Sequence, residues 1–229
     1  MTRAPDTRVY PRVLCLAPCY GVPQSNAQRT SPAPSLAVAR ALDGQGIRQV
    51  IVSVRRAGTP GLERVGSTGT VRRLGVPLGG GRMFAAAAAA ALPVLARKAD
   101  ILHLYHRGGL ATLPLALATA GAWDIPLVMT LERSHLEPRG EPVTGLAWLR
   151  GTLGRPLERA TLARAAAVIV PEHAAAEFLA ARGLPARRIH VIAPETAGDD
   201  AARRILEIYR AVWARQLARR VAIWHPTPA

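Results

Sequence analysis

The chain has 229 residues, 49% of them hydrophobic and 20% charged. That is enough apolar material for one good core, and it excludes a disordered chain or a coiled coil, which need lower hydrophobicity or denser charge. Thirty Lys+Arg against 15 Asp+Glu leave a net charge of +15, and Lys98 is the only lysine, so the excess is carried by arginine and draws phosphates, acidic glycans, anionic lipid or nucleic acid.

Residues 1–11 read as a tail. Arg3, Arg8 and Arg12 lead into an apolar run, Val13–Ala17, that is too short for a signal sequence and meets Pro18 at once. The first strand is expected at Arg12–Ala17, followed by a loop bearing Pro and Gly that runs from Pro18 to Asn26 and on to Arg29. Ser35, after Pro32 and Pro34, caps a helix over Ser35–Gln45, with Gly44 and Gly46 to end it. Strands at Arg48–Val54 and Val65–Leu74 come next, then a helix over Met83–Lys98 whose run Ala85–Ala91 is a strong helix former. The order continues with a strand at Ile101–Leu104, a helix at Gly109–Ala120 and a strand at Leu127–Leu131. Gly151, Gly154 and Pro156 are expected to break the helical segment Val143–Arg164 into two pieces. A strand at Ala167–Val170, a helix at Glu172–Ala181 ended by Arg182-Gly183, a strand at Ile189–Ile192 and a helix at Asp200–Arg220 complete the pattern, with 221–229 as a tail.

Short apolar strands alternating with helices predict an α/β fold: one Rossmann-like, doubly wound, mainly parallel sheet with helices on both faces and a C-terminal amphipathic helix. The strand runs are continuous rather than alternating, as expected where both faces are buried. The stretches Met83–Ala96 and Gly108–Trp123 are too short to span a membrane. Cys15 and Cys19, in and just beyond the first strand, do not form a disulfide framework and point to a structural role in a reducing compartment.

In such a sheet, ligands bind beyond the carboxyl ends of the strands. Tyr20, Gly21, Gln24 and Arg29 follow the first strand; His103, Tyr105, His106 and Arg107 lie at the fourth; Thr130, Glu132, Arg133, Ser134 and His135 follow the fifth; Glu172 and His173 follow the sixth, and Glu195 the seventh. Polar residues therefore gather on one edge. His103 and His106 with Cys15, Cys19 or His135 lack a compact four-ligand spacing, so no metal is expected. Gly79-Gly80-Gly81-Arg82 precedes a helix but lacks the Lys-Ser/Thr of a P-loop and reads as a plain loop. Glu132 and Glu172 are either reacting or acceptor-binding groups or the solvated ends of strands.

The succession of "SLAVARALDGQGIRQVIVSV", "ADILHLYHRGGLATLPLALATAGAWDIPLVMTLERSH" and "LERATLARAAAVIVPEHAAAEFLAARGLPARRIHVIAP" resembles the N-terminal, acceptor-side half of a family 4 glycosyltransferase of the GT-B fold over residues 12–194. In place of the family's Gly-Gly pair stands Tyr20-Gly21-Val22-Pro23, and in place of its Thr-x-His stands Thr130-Leu131-Glu132, with His135 three residues on. The resemblance implies acceptor contacts from Tyr20, Gly21, Gln24, Arg29, His106, Arg133 and His135, and makes Glu132 and Glu172 the catalytic candidates. It divides the chain into a Rossmann-like domain at 12–198 and, at 199–220, a counterpart of the family's terminal helix that crosses back onto the first domain. The second domain, with its paired-Glu donor motif, is expected to be absent.

The expectation is therefore a retaining glycosyltransferase-like domain, inactive alone, in a split or degenerate enzyme of glycan or glycolipid synthesis. No cofactor is bound by this domain itself; a separate donor-binding chain would bring the nucleotide sugar to a sugar or lipid-linked acceptor. Trp148 with Arg150, Arg155 and Arg159 offers a basic, aromatic-bearing patch for an anionic membrane surface, so the expected location is cytoplasmic, peripheral on the inner face of the membrane. An alternative is a basic polyanion- or nucleic-acid-binding protein without catalysis. It ranks lower because aromatic content is 4% and no base-reading motif is present. A self-sufficient small α/β enzyme is disfavoured by the lack of a Gly-x-Gly-x-x-Gly motif or nucleophile elbow.

Overall fold

A computed structural model describes residues 10–18, 20, 36–75, 80–107, 110–131, 145–196 and 198–224. Its strands are β1 (Arg12–Leu16), β2 (Arg48–Val54), β3 (Leu62–Val65), β4 (Gly69–Leu74), β5 (Ile101–His106), β6 (Leu127–Leu131), β7 (Ala165–Val170) and β8 (Ile189–Val191). They form one sheet in the order β3-β4-β2-β1-β5-β6-β7-β8. Every neighbouring pair is parallel except β3 and β4. The helices are α1 (Leu36–Gly44), α2 (Gly80–Ala96), α3 (Thr112–Ala122), α4 (Gly145–Arg164), α5 (His173–Ala180) and α6 (Gly198–Trp224), with a 3-10 turn at Ala186–Arg188.

The unbroken apolar strands resolve into two faces. Val13, Cys15 and Ala17 of the first strand region, Ile101 and Tyr105 of β5, and Ala167 and Ile169 of β7 pack under α1 and α6, where Val38, Leu42, Ile205, Leu206, Ile208 and Val212 meet them. Leu14, Leu16, Leu102, Leu104, Met129, Val168 and Val170 point the other way and pack with Phe84, Leu92, Leu113, Leu162 and Leu179 from α2, α3, α4 and α5. Burial on both faces is why the runs show no period of two in hydropathy, although successive side chains still alternate in direction.

Two expectations are corrected. Val65–Leu74, read as one strand, is a β-hairpin, with β3 running antiparallel to β4 and Gly66-Ser67-Thr68 as its turn. Asp43 at the end of α1 captures that turn. Its carboxylate accepts from the backbone N–H groups of Ser67 at 2.5 Å, Thr68 at 2.9 Å and Gly69 at 2.9 Å, and from both hydroxyls. Gly66 has φ +64° and its missing Cβ makes room for that carboxylate, so both conformation and space demand glycine. Val143–Arg164, read as two pieces, contains one helix, α4, which continues through Pro156. Gly154 lies buried on it and Thr161 donates its hydroxyl to the Leu157 carbonyl, so packing overrides the local breakers. Several ends also move: β5 extends to His106, α6 continues to Trp224, α3 runs Thr112–Ala122, and α2 begins at Gly80, so that Gly80, Gly81 and Arg82, read as a loop, belong to the helix.

Candidate functional site

The sheet winds one way from β1 through β2 to β4 and the other way from β5 to β8, so strand order reverses between β1 and β5. The crevice beyond the carboxyl ends of those strands is where an open α/β sheet binds ligands. Tyr20, just past β1, is 4% exposed, and among the described residues its hydroxyl has no hydrogen-bond partner. Burial, with help from nearby Glu63, pushes this phenol up to about 12, so it stays protonated and available to donate.

His106 ends β5 beside the same crevice, on the face opposite Tyr105. Its Nε2 lies 3.9 Å from a Glu158 carboxylate oxygen of α4, and both side chains are fully buried. Glu158 was not legible as a site residue, because it reads as one more charge on a helix rich in arginine. The available signal was its place in the stripe Leu157, Thr161 and Leu162, which faces the sheet.

Behind the crevice, a buried polar cluster pins α6 to the sheet. His103 Nδ1 lies 2.5 Å from Tyr209 Oη, and its Nε2 lies 2.8 Å from Thr130 Oγ1. The His103 ring stacks on Tyr105 with centroids 4.1 Å apart. Burial drives the imidazole down to about 3, leaving it neutral, with one ring nitrogen a donor and the other an acceptor. Burial also pushes the Cys15 thiol up to about 12 despite its hydrogen bond with Tyr209, so it is an inert structural thiol.

Of the other expected site residues, Glu172 is the exposed residue preceding α5, and its side chain makes no capping bond. Arg155 and Arg159 project from α4 into solvent, while Trp148 and Arg150 lie on the first half of that helix. Cys19, Gly21, Gln24, Arg29, Glu132, Arg133 and His135 fall outside the described residues. Among the described residues, no group of three or more His, Cys, Asp or Glu is arranged to hold a metal ion, and no helix is long and apolar enough to cross a membrane.

A mainly parallel, doubly wound sheet, open at a β1/β5 switch point and crossed by a C-terminal helix, defines a Rossmann-like domain of the kind found as the N-terminal domain of GT-B glycosyltransferases. The chain belongs to the glycosyl transferase 4-like domain family, whose model matches residues 35–195. No curated protein matches the chain in sequence. Among solved structures it is similar to a sucrose-phosphate synthase chain from Thermosynechococcus elongatus, with 14% identity and a TM-score of 0.58, over 89% of this chain and 99% of that one. It is also similar to Anabaena HepE in complex with UDP and glucose, with 14% identity and a TM-score of 0.50, over 81% of this chain. It spans 44% of the HepE chain.

Proposed function

We propose that this chain is the acceptor-side half of a sugar transferase in glycan or glycolipid synthesis, completed by a donor-binding domain on a separate polypeptide. The observation that carries the reading is the Tyr20 hydroxyl, buried and without a hydrogen-bond partner among the described residues, on the segment that leaves β1 at the β1/β5 switch point. A donor hydroxyl there orients a sugar oxygen. His106, held against Glu158 at the end of β5, supplies a second polar group on the neighbouring strand. Gly21, Gln24, Arg29, Arg133 and His135 complete the acceptor set in this reading, with Glu132 or Glu172 as the carboxylate facing the reacting centre. Sugar transfer is largely a matter of positioning and of neutralising the departing nucleotide's charge, and one domain supplies one wall of that cleft. The acceptor is a sugar or a lipid-linked sugar presented at an anionic membrane surface on the cytoplasmic side, met by the arginine face of α4.

The test is affinity capture of the chain from its own cells, followed by transfer assays with labelled nucleotide sugars on the chain alone and on the captured complex. The chain alone is expected to be inert and the complex active, with Tyr20→Phe raising the acceptor KM. Transfer by the purified chain alone, or capture of no donor-binding domain, overturns the split-enzyme reading.

A further inference from the structure

At the sheet edge opposite the crevice, Arg164 at the end of α4, Arg187 and Arg188 in the 3-10 turn, and Arg215 and Arg219 on α6 line a cleft of about 340 Å³. Its remaining walls come from Ala163, Ala165 and Ala166. Among the described residues no carboxylate lines it. Asp124 lies 3.9 Å from Arg164 in an exposed pair of little strength, and its carboxylate also accepts from Gln216 at 3.1 Å. Arg187, Arg215 and Arg219 have no carboxylate partner among the described residues.

Five arginines from three elements line one cleft, and the mutual repulsion of their charges is relieved by a bound counter-charge. Arg188 donates to Ala163 O and Ala165 O, each at 3.4 Å, so two carbonyls of the lining residues are engaged and its own guanidinium is anchored. Burial and the Arg215 charge together hold His190, on the adjacent strand, below its ordinary value. Arginine forks match phosphate oxygens in pairs, and a cleft of this size accommodates a small phosphorylated group.

We infer that this cleft is a second binding site, distinct from the acceptor crevice, for a diphosphate or phosphodiester-bearing ligand that ties the C-terminal half of α6 to β7 and β8. Occupancy bridges α4, the 3-10 turn and α6, and so couples ligand binding to the docking of α6, the helix that also carries Tyr209. The inference does not depend on sugar transfer. Failure of the split-enzyme reading leaves it standing, and its own failure leaves that reading untouched.

The experiment uses the full chain with inorganic pyrophosphate, followed by calorimetry, melting temperature and hydrogen exchange. Pyrophosphate is expected to bind with 1:1 stoichiometry, raise Tm and slow exchange in the last turns of α6. The double variant Arg215→Gln/Arg219→Gln is expected to weaken binding about tenfold or more, as loss of charge-assisted pairs implies. The equal-charge control Arg203→Gln/Arg204→Gln, on the exposed first turns of α6, is expected to leave it within about twofold, because those residues lie outside the cleft. Equal weakening by both variants, or binding with no defined stoichiometry, shows a diffuse field and overturns the site. A parallel arm with phosphatidylglycerol/phosphatidylcholine vesicles separates the sources. Vesicle binding lost in the cleft variant but not in the control assigns the site to a lipid headgroup, and vesicle binding unchanged with pyrophosphate binding lost assigns it to a soluble phosphate.

Discussion

His103 on β5 and Tyr209 on α6 meet across 106 residues of sequence, Nδ1 to Oη at 2.5 Å, inside a mainly apolar core. The contact fixes where the long helix lands, because a helix that slid by one residue would strand both polar groups in the apolar layer. Tyr209→Phe keeps the shape but leaves one imidazole nitrogen unsatisfied, at a cost of about 1–3 kcal/mol. Denaturant unfolding checks it. An unchanged midpoint would mean that the cluster contributes nothing net to stability.

The acid limb of stability has two sources with different windows. His103 is held down to about 3 by burial, against an ordinary 6.5, so the unfolded chain takes up a proton that the native state refuses. Its contribution is whole above pH 6.5 and is lost as pH falls toward 3. For Asp43, burial alone would raise the carboxyl, but the hydrogen bonds from Thr68 and Ser67 outweigh it and hold the group at about 2, against 3.8 unfolded. That contribution is present above pH 3.8 and disappears as pH falls through 2, and it amounts to about 2 kcal/mol. Asp43→Asn is expected to remove the lower part of the limb only and His103→Gln the upper part, as read from Tm between pH 2 and 7. A single unaltered limb in both variants would refute the assignment.

Much of the fold was readable because hydropathy runs and glycine or proline punctuation report which segments are buried on both faces. What escaped was set by contacts between distant residues. The β3–β4 hairpin is hidden in a run such as Val65–Leu74 because the turn is stabilised from outside by Asp43, 24 to 26 residues away. The continuity of α4 through Pro156 likewise comes from what the helix packs on. For the candidate site, the edge of the sheet was legible from the order of elements alone, and Tyr20 and His106 lie on the segments expected to reach it. Glu158 and the arginine cleft were not legible, since each is assembled from segments that no local pattern connects.

The crossing helix gives a stability test. Ala201, Ala202, Ile205, Leu206, Ile208, Tyr209 and Val212 of α6 are all buried, on the side it turns to the sheet and α1. Ile205→Ala is expected to cost about 2–5 kcal/mol, as for other large core truncations. A chain ending before Gly198 bares that whole face of the sheet and should aggregate or melt far lower. Amide exchange over Ile205–Trp213 as fast as in an unfolded peptide would show instead that the helix is undocked.

Arg155 and Arg159 on the exposed side of α4 make the membrane proposal measurable. At about 1 kcal/mol for each basic residue near an anionic surface, replacing both with Ser should weaken binding to phosphatidylglycerol vesicles roughly thirtyfold at low salt. Binding should also fall steeply with salt, since exposed charges are screened over about 8 Å at physiological ionic strength. Sedimentation with vesicles of rising anionic content reads both effects, and equal binding to neutral vesicles removes the electrostatic account.

The pair His106 and Glu158 decides whether the crevice end of β5 is held by charge or merely by packing. Both side chains are sealed from water with 3.9 Å between Nε2 and the carboxylate, so a change at either is made in a site closed to solvent. Glu158→Gln alone is expected to destabilise by about 3–5 kcal/mol if the pair is ionic, as breaking a buried ion pair does. His106→Asn alone should then cost a similar amount. The double variant is the informative one. Groups in direct contact show coupling of about 0.5–3 kcal/mol, whereas independent sites add to within about 0.5 kcal/mol. A coupling in the upper part of that range identifies an ionic pair that orients His106 toward the crevice. Simple additivity would leave His106 positioned by packing alone.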